Sequence, residues 1–255
     1  MVETTDPSKD KVSMTAPSSV EAGLVRITLR NRGDTLHDAQ LFRIDGEHTA
    51  TDLNYGLLEK VDSAAKPKWA HPEGGVAPLR PGENATVTQV LEPGRYFIAD
   101  TQERETAVGG KSVNAVKGGI AELEVTGEGG GELPKTPVTV TARDDGFDAK
   151  GLRPGANRVT FVNAGEELHQ VVAFPVAPGL SYRQAANRLL QREAYTGWVP
   201  VDVPHTRATT VLESGQRQIT ELDLPRGRYL FGCFVSDRAG GPPHLSQTMT
   251  AVEVG

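Results

Sequence analysis

The segment Gly23-Leu-Val-Arg-Ile-Thr-Leu-Arg-Asn-Arg-Gly-Asp-Thr-Leu-His37 recurs later in the chain as Gly155-Ala-Asn-Arg-Val-Thr-Phe-Val-Asn-Ala-Gly-Glu-Glu-Leu-His169. Both segments begin with glycine, alternate β-branched or apolar residues with polar ones, and end in an Asn-x-Gly turn followed by histidine. This alternation is typical of a strand with one face buried. The pattern predicts that the same strand and turn occur twice.

A second match lies farther along each copy. Pro93-Gly-Arg-Tyr-Phe-Ile-Ala-Asp100 aligns with Arg226-Gly-Arg-Tyr-Leu-Phe-Gly-Cys233, at nearly the same separation as the first match. Two matches in the same order and at nearly the same offset indicate an internal repeat. We therefore predict a tandem duplication.

The region between the copies is rich in glycine and proline. It reads Thr126-Gly-Glu-Gly-Gly-Gly-Glu-Leu-Pro-Lys-Thr-Pro137, a composition typical of a linker. We expect one domain over residues 1–126, a linker over 127–136 and a second domain over 137–255.

Short alternating apolar runs, separated by Gly and Pro, predict an all-β fold of two tandem β-sandwiches. The predicted strands lie at 25–29, 85–91, 95–99, 138–142, 159–162, 218–222 and 228–231. Each copy also has one helical pattern. Residues 181–193 carry an apolar stripe behind a potential N-cap at Ser181, and residues 52–61 form a weaker counterpart.

Composition excludes some classes of function. Among 255 residues, 27 are Lys or Arg and 33 are Asp or Glu, which gives a formal charge of −6 and argues against nucleic-acid binding. The sequence has no apolar run long enough to span a membrane and no signal peptide at its polar N-terminus. This start fits either a cytoplasmic protein or a mature exported chain.

The one cysteine, Cys233, cannot form a disulfide within the chain. It shares the second copy with His169, His244 and Met249, in the order His169, Cys233, His244, Met249. A thiolate, two imidazoles and a thioether suit copper, whereas structural zinc sites use Cys and His alone. Each residue also has a structural alternative: Cys233 as core filling, His244 as a loop residue and Met249 as a gap filler.

These residues carry a resemblance to the cupredoxins. The segment 163–169 resembles the one that bears the first histidine ligand, and Tyr229-Leu-Phe-Gly-Cys233 with His244-Leu-Ser-Gln-Thr-Met249 resembles the C-terminal ligand loop. The resemblance implies Greek-key sandwiches and one type 1 copper ion per chain, with His169, Cys233, His244 and Met249 as ligands. Because cupredoxins are usually exported, it also implies an extracytoplasmic protein. Compared with small cupredoxins, the Cys-to-His loop is longer, and Gln170 stands where the family often has Asn.

The first copy lacks this ligand set. His37 matches His169, but Asp100 stands in place of Cys233, and no His or Met follows it within that copy. We expect the first domain to bind no copper and His37 to be structural.

Two functions from different classes follow. The first is a copper-binding protein that acts in single-electron transfer or copper handling, with a possible redox partner docking on an apolar surface around Pro242, His244 and Leu245. The alternative is a metal-free tandem β-sandwich that binds a protein, glycan or envelope component.

An enzyme is not expected. The chain has no His-x-His pair, as the trinuclear cluster of multicopper oxidases would need, and no histidine beside Cys233, as in two-domain nitrite reductases. The carboxylate pairs Asp144-Asp145 and Glu166-Glu167 lie in predicted turns, where we expect solvated charge.

Overall fold

The computed structural model describes residues 1–58, 65–105, 111–191, 206–241 and 243–255. The chain divides into two compact units. Unit 1 comprises Met1–Pro134 with Arg238–Gly240, and unit 2 comprises Lys135–Asp237 with Gly241–Gly255. Within the described residues, no helix is long and apolar enough to cross a membrane.

Unit 1 is built mainly of strands. Its elements, in chain order, are β1 (Val2–Ser8), β2 (Lys11–Thr15), β3 (Ser19–Glu21), β4 (Gly23–Asn31), β5 (His37–Ile44), α1 (Ala50–Leu58), β6 (Ala70–Leu79), β7 (Asn84–Leu91), β8 (Gly94–Ala99), β9 (Glu103–Glu105), β10 (Lys111–Val113), a 3-10 turn (Asn114–Lys117) and β11 (Ile120–Thr126).

Unit 2 has the same character. Its elements are β12 (Val138–Arg143), β13 (Gly146–Lys150), β14 (Gly155–Asn163), β15 (Val172–Pro175), α2 (Tyr182–Leu190), β16 (Arg207–Ala208), β17 (Arg217–Leu224), β18 (Gly227–Gly232), α3 (Leu245–Thr248) and β19 (Thr250–Val254). The chain is therefore an all-β protein, as predicted.

Each unit is a Greek-key sandwich of two sheets. In unit 2 the strand orders are β13-β12-β14-β17 and β16-β15-β18-β19, and in unit 1 they are β2-β1-β4-β7 and β6-β5-β8-β11-β3. Both units contain an equivalent parallel pair, β12 with β14 and β1 with β4, and unit 1 has a second one, β11 with β3. Residues of both sheets fill the space between them. In unit 2, for example, Val140 and Phe161 from one sheet join Ala173, Tyr229 and Phe231 from the other.

A buried asparagine explains the Asn-x-Gly turn that occurs in both copies. The side-chain amide of Asn163 donates to the carbonyls of Glu167 at 2.8 Å and Leu212 at 2.9 Å, while its oxygen accepts the N–H of Gly165 at 3.0 Å. Asn31 makes the equivalent set of bonds in unit 1. One buried amide thus fixes the chain that leads to each histidine.

The second sequence match, Gly-Arg-Tyr, places a buried tyrosine in each unit. The hydroxyl of Tyr229 donates to the carbonyl of Pro225 at 2.7 Å, and that of Tyr96 donates to the carbonyl of Glu92 at 3.0 Å. Both rings are buried, so each hydroxyl needs such a partner. This contact anchors the start of β8 and β18, the strands that lead directly to Asp100 and Cys233.

The helices begin where side chains cap them. Ser181 forms a capping box with Gln184 at the start of α2, as the sequence predicts for Ser181. In unit 1, Thr49 and Asp52 bond reciprocally, so α1 starts at Ala50, two residues before the predicted start. The predicted end of that helix, Val61, lies outside the described residues. The pattern does not predict the one-turn helix α3.

Candidate metal centre

His169 lies at the end of the turn between β14 and β15. Its N–H donates to the carbonyl of Leu212 at 3.2 Å, and the Leu212 N–H donates to the carbonyl of His169 at 2.8 Å. The ring is fully buried. A Cβ at Gly165 would lie 2.7 Å from Nε2 of His169, so the turn passes too close to the ring for any larger residue.

The two ring nitrogens of His169 have different surroundings. Nε2 lies 2.9 Å from Oδ1 of Asp144, whereas Nδ1 is buried and, within the described chain, has no hydrogen-bond partner. A carboxylate accepts hydrogen bonds only, so this contact assigns the proton to Nε2 and leaves a lone pair on Nδ1. A buried lone pair without a donor is what a metal ligand requires.

Burial is the main cause of a lowered pKa for His169. The neighbouring His244 also lowers this pKa, and Asp144 opposes both. The main chain of the turn before His169 also contacts Asp144, whose carboxylate accepts the N–H groups of Glu166 and Glu167. Although burial acts in the other direction, these bonds and His169 lower the pKa of Asp144. A neutral imidazole beside an ionised carboxylate is the pair that commonly supports a metal ion.

Cys233 follows β18 and has no exposed surface. Its sulfur accepts main-chain N–H bonds from Gln170 and Val235 and lies 3.8 Å from the carbonyl oxygen of Leu168. Residues on both sides of His169 therefore contact the sulfur. Burial raises the pKa of Cys233 to about 11 despite the two N–H bonds. The thiol is thus neutral by itself, and a soft cation would be needed to hold it as the thiolate.

The loop after Cys233 brings His244 back to the site. The His244 N–H donates to the carbonyl of Val235 at 3.0 Å. Its side chain is 4% exposed, and its ring lies against that of His169, with the centroids 5.3 Å apart and the planes at 63°. The fold thus places side by side two imidazoles that are far apart in sequence.

Thr248 links Cys233 and His244 by hydrogen bonds. Its hydroxyl accepts the N–H of Cys233 at 3.0 Å and donates to the carbonyl of His244 at 3.0 Å. Met249 is the next residue, at the C-terminal end of α3, and is half-buried. Its Cγ lies 3.9 Å from where a Cβ on Gly232 would be, and it packs on the apolar cluster that includes Leu245.

The first unit fills the corresponding positions with a polar network. Nδ1 of His37 bonds to Oδ2 of Asp100, and its Nε2 lies 3.0 Å from Oδ2 of Asp6. Asn114 donates to Asp100 at 3.1 Å. The Asn114 N–H also donates to the carbonyl of Gln102, two residues after Asp100, just as the His244 N–H donates to Val235, two residues after Cys233. Asn114 therefore takes the place of His244.

Burial disfavours a charge on His37, but the hydrogen bonds and charges of Asp100 and Asp6 outweigh it, so the pKa of His37 is raised. His37 and His169 match in sequence, yet their pKa values shift in opposite directions. In unit 1 a proton on Nδ1 meets a carboxylate, whereas in unit 2 Nδ1 has no hydrogen-bond partner.

Three expectations need correction. Asp144 is not merely a solvated turn residue, because it bonds to His169. Glu167 belongs to a group of potential ligands with Asp237 and His244. Leu245, expected on an apolar docking surface, is only 8% exposed and packs in a cluster with Phe174 and Leu230. Pro242, the other apolar residue expected there, lies outside the described residues.

Sequence reasoning missed Thr248, Asp237 and Asn114. The spacing of Asn114 from Asp100 differs from that of His244 from Cys233, so no alignment of the two copies would have paired them. Asp144 did carry a signal, because it lies in a predicted turn just after the predicted strand at 138–142. The sequence does not show which side chain that turn faces.

No protein-family model matches the chain, and neither does any curated protein sequence. Similar solved structures include the dithionite-reduced auracyanin from the photosynthetic bacterium Roseiflexus castenholzii, at 19% identity and a TM-score of 0.31 over 46% of this chain and 94% of that one. Auracyanin B is 26% identical with a TM-score of 0.30, over 48% of this chain and 93% of its own.

A copper nitrite reductase from Nitrosomonas europaea is 13% identical with a TM-score of 0.26, over 96% of this chain and 86% of that one.

Proposed function

We propose that unit 2 binds one copper ion through His169, Cys233, His244 and Met249, and that the protein acts in single-electron transfer or copper handling. The domains are those expected from the sequence, 1–126 and 137–255, and they arose by duplication. The shared strand order of the two units supports this origin. We place the protein outside the cytoplasm.

The observation that carries the proposal is the buried Nδ1 of His169. It has no hydrogen-bond partner in the described chain, it lies beside the ring of His244, and both sequence neighbours of His169 contact the sulfur of Cys233. An orphaned buried nitrogen costs free energy, on the order of 1–3 kcal/mol, unless something binds it. The donor set of nitrogen, nitrogen and sulfur is one that copper prefers.

The chain's own groups would prepare this site. Asp144 fixes the tautomer of His169, and the N–H groups of Gln170 and Val235 stabilise negative charge on the sulfur. Thr248 ties the cysteine to the histidine loop, so the ligands rest on a hydrogen-bonded frame. When bound, copper would supply the one-electron redox couple, and a rigid frame would limit movement between its two oxidation states.

The test is a titration of the reduced metal-free protein with Cu(II), followed by visible absorption. We expect one equivalent to give an intense band at about 600 nm from thiolate-to-copper charge transfer. The substitution Cys233→Ser should abolish the band. Asp100→Asn, at the matching position of unit 1, should leave it unchanged.

A colourless titration with no stoichiometric copper uptake would reject the copper proposal. It would leave the alternative, a metal-free β-sandwich module that binds a protein, glycan or envelope component. A band that survives Cys233→Ser would show that the thiolate is not the ligand, and the assignment of the site would then be wrong.

A further inference from the structure

Two carboxylates lie next to the ring of His244. Oδ1 of Asp237 is 2.6 Å from Nε2 of His244, and one donor atom from each of Glu167, Asp237 and His244 lies within 4.8 Å of the other two. The side chain of Asp237 is 48% exposed, whereas that of His244 is 4% exposed. The group therefore connects a buried imidazole to solvent.

His244 and Asp237 approach each other without forming a hydrogen bond. Nε2 is a buried nitrogen with no hydrogen-bond partner among the described residues, although the carboxylate oxygen is within hydrogen-bond distance. A hydrogen bond needs the N–H to point along the line between the two atoms. A cation that bound Nε2 and the neighbouring carboxylate oxygens would give this buried nitrogen the partner that it lacks.

We infer that Glu167, Asp237 and Nε2 of His244 form a binding site for a divalent cation of the zinc class, distinct from the proposed copper site. One imidazole nitrogen and two carboxylate oxygens are ligands that zinc accepts, with a fourth position for water. Calcium and magnesium prefer oxygen ligands alone, and Cu(I) prefers sulfur. Two carboxylates also balance the charge of a divalent ion.

This site shares His244 with the proposed copper site but does not use Cys233, His169 or Met249. The two proposals can therefore fail separately. If both hold, His244 lies between two metal ions as an imidazolate, with one ion on each ring nitrogen and its ring proton released to solvent. A cation bound to Nε2 would then withdraw electron density from the copper ligand on the other side of the ring.

The test is calorimetric titration of the full metal-free chain with zinc chloride in a Cys233→Ser background, because zinc would also bind the thiolate and imidazoles of the proposed copper site. We expect this background to bind one high-affinity equivalent. Adding Asp237→Asn or Glu167→Gln should weaken binding by more than about tenfold. Adding Glu166→Gln, one residue away in the same turn and outside the group of three, is the matched control and should leave binding unchanged.

Cobalt(II) gives a second readout, because it reports its ligands by absorption. In the Cys233→Ser background we expect visible bands, and each carboxylate variant should weaken them. Circular dichroism checks that each variant is folded, and if one carboxylate variant unfolds the other carries the test. The inference is overturned if the Cys233→Ser protein binds no zinc, or if both carboxylate variants bind zinc as that protein does.

Discussion

A single hydrogen bond decides what the imidazole of His169 can do. Asp144 occupies its Nε2, so its Nδ1 faces the interior as an acceptor without a donor. In unit 1 both nitrogens of His37 meet carboxylates, those of Asp6 and Asp100. The same residue in the same turn thus keeps one ring nitrogen without a hydrogen-bond partner in unit 2 and has a carboxylate at each ring nitrogen in unit 1.

The carboxylate behind His169 should matter for metal affinity. We expect Asp144→Asn to weaken copper binding by roughly tenfold to a hundredfold, because the substitution removes the negative charge that supports the imidazole. Competition with a chromophoric copper chelator measures this. Asp145→Asn, the adjacent carboxylate, is the control and should retain wild-type affinity. Equal losses in both variants would mean that general charge, and not the contact with His169, is responsible.

The proton on His37 should be observable directly. Nuclear magnetic resonance of the ring should give a pKa above the usual 6.5, and Asp100→Asn should lower it, because that variant removes a charge bonded to Nδ1. A pKa for His37 below 6.5 in the wild type would contradict the network described for unit 1.

The sign of the linked stability change follows from the raised pKa of His37. The folded state holds this proton more tightly than the unfolded chain does. The ion pair of His37 therefore contributes fully below about pH 6.5, and its contribution to the free energy of unfolding is lost as the pH rises through the raised pKa.

At the scale of elements, the loop from Cys233 to Met249 matters most. Its two ends are joined by the hydroxyl of Thr248 and by the main-chain bond from His244 to Val235. The short helix α3 holds this loop on the body of unit 2 through Leu245, which is buried in the apolar cluster between α2 and the sheet. Leu245 is thus part of the core.

Truncating Leu245 should therefore destabilise unit 2. We expect Leu245→Ala to lower the free energy of unfolding by about 2–5 kcal/mol, since it removes buried methyl groups and leaves a cavity. Leu190, at the end of α2 and 43% exposed, is the matched control, and Leu190→Ala should change stability by less than about 0.5 kcal/mol. Urea titration measures both. If both variants changed the free energy of unfolding by similarly small amounts, Leu245 would not be part of the core.

At the scale of the whole molecule, the two units repeat one strand order but not one site chemistry. Unit 1 has His37, Asp100 and Asn114 where unit 2 has His169, Cys233 and His244. Of these positions, the one with a soft sulfur donor is therefore in unit 2. Copper should therefore act on one unit only. This asymmetry can be tested without separating the units.

Saturating copper should slow amide hydrogen exchange around His169, Cys233 and His244 and leave the turn at 32–37 unchanged. A ligand at about a hundredfold excess over its dissociation constant stabilises the folded state by about 2.7 kcal/mol, and a chelator should reverse the effect. Exchange measured by mass spectrometry resolves the two turns. Equal protection in both turns, or protection that persists in Cys233→Ser, would contradict a single site in unit 2.

The sequence alone determined the fold class and the list of candidate ligands. Alternating strands, the Asn-x-Gly turn and the tyrosine before Asp100 or Cys233 are local patterns. The side chains in these patterns bond to residues a few positions away: the amide of Asn163 bonds to the carbonyl of Glu167, and the hydroxyl of Tyr229 bonds to the carbonyl of Pro225. Local geometry of this kind is fixed by the chain itself, so it can be predicted from the chain.

The arrangement of these candidate ligands depends on the tertiary structure. The contact of Asp144 with His169, the approach of Asp237 to His244 and the burial of Leu245 all depend on the direction of a side chain between elements that are distant in sequence or joined by an irregular loop. Spacing along the chain carries no information on that direction. Asn114 took the place of His244 despite a different spacing, because the main-chain bonds of the folded loop, and not residue count, set that position.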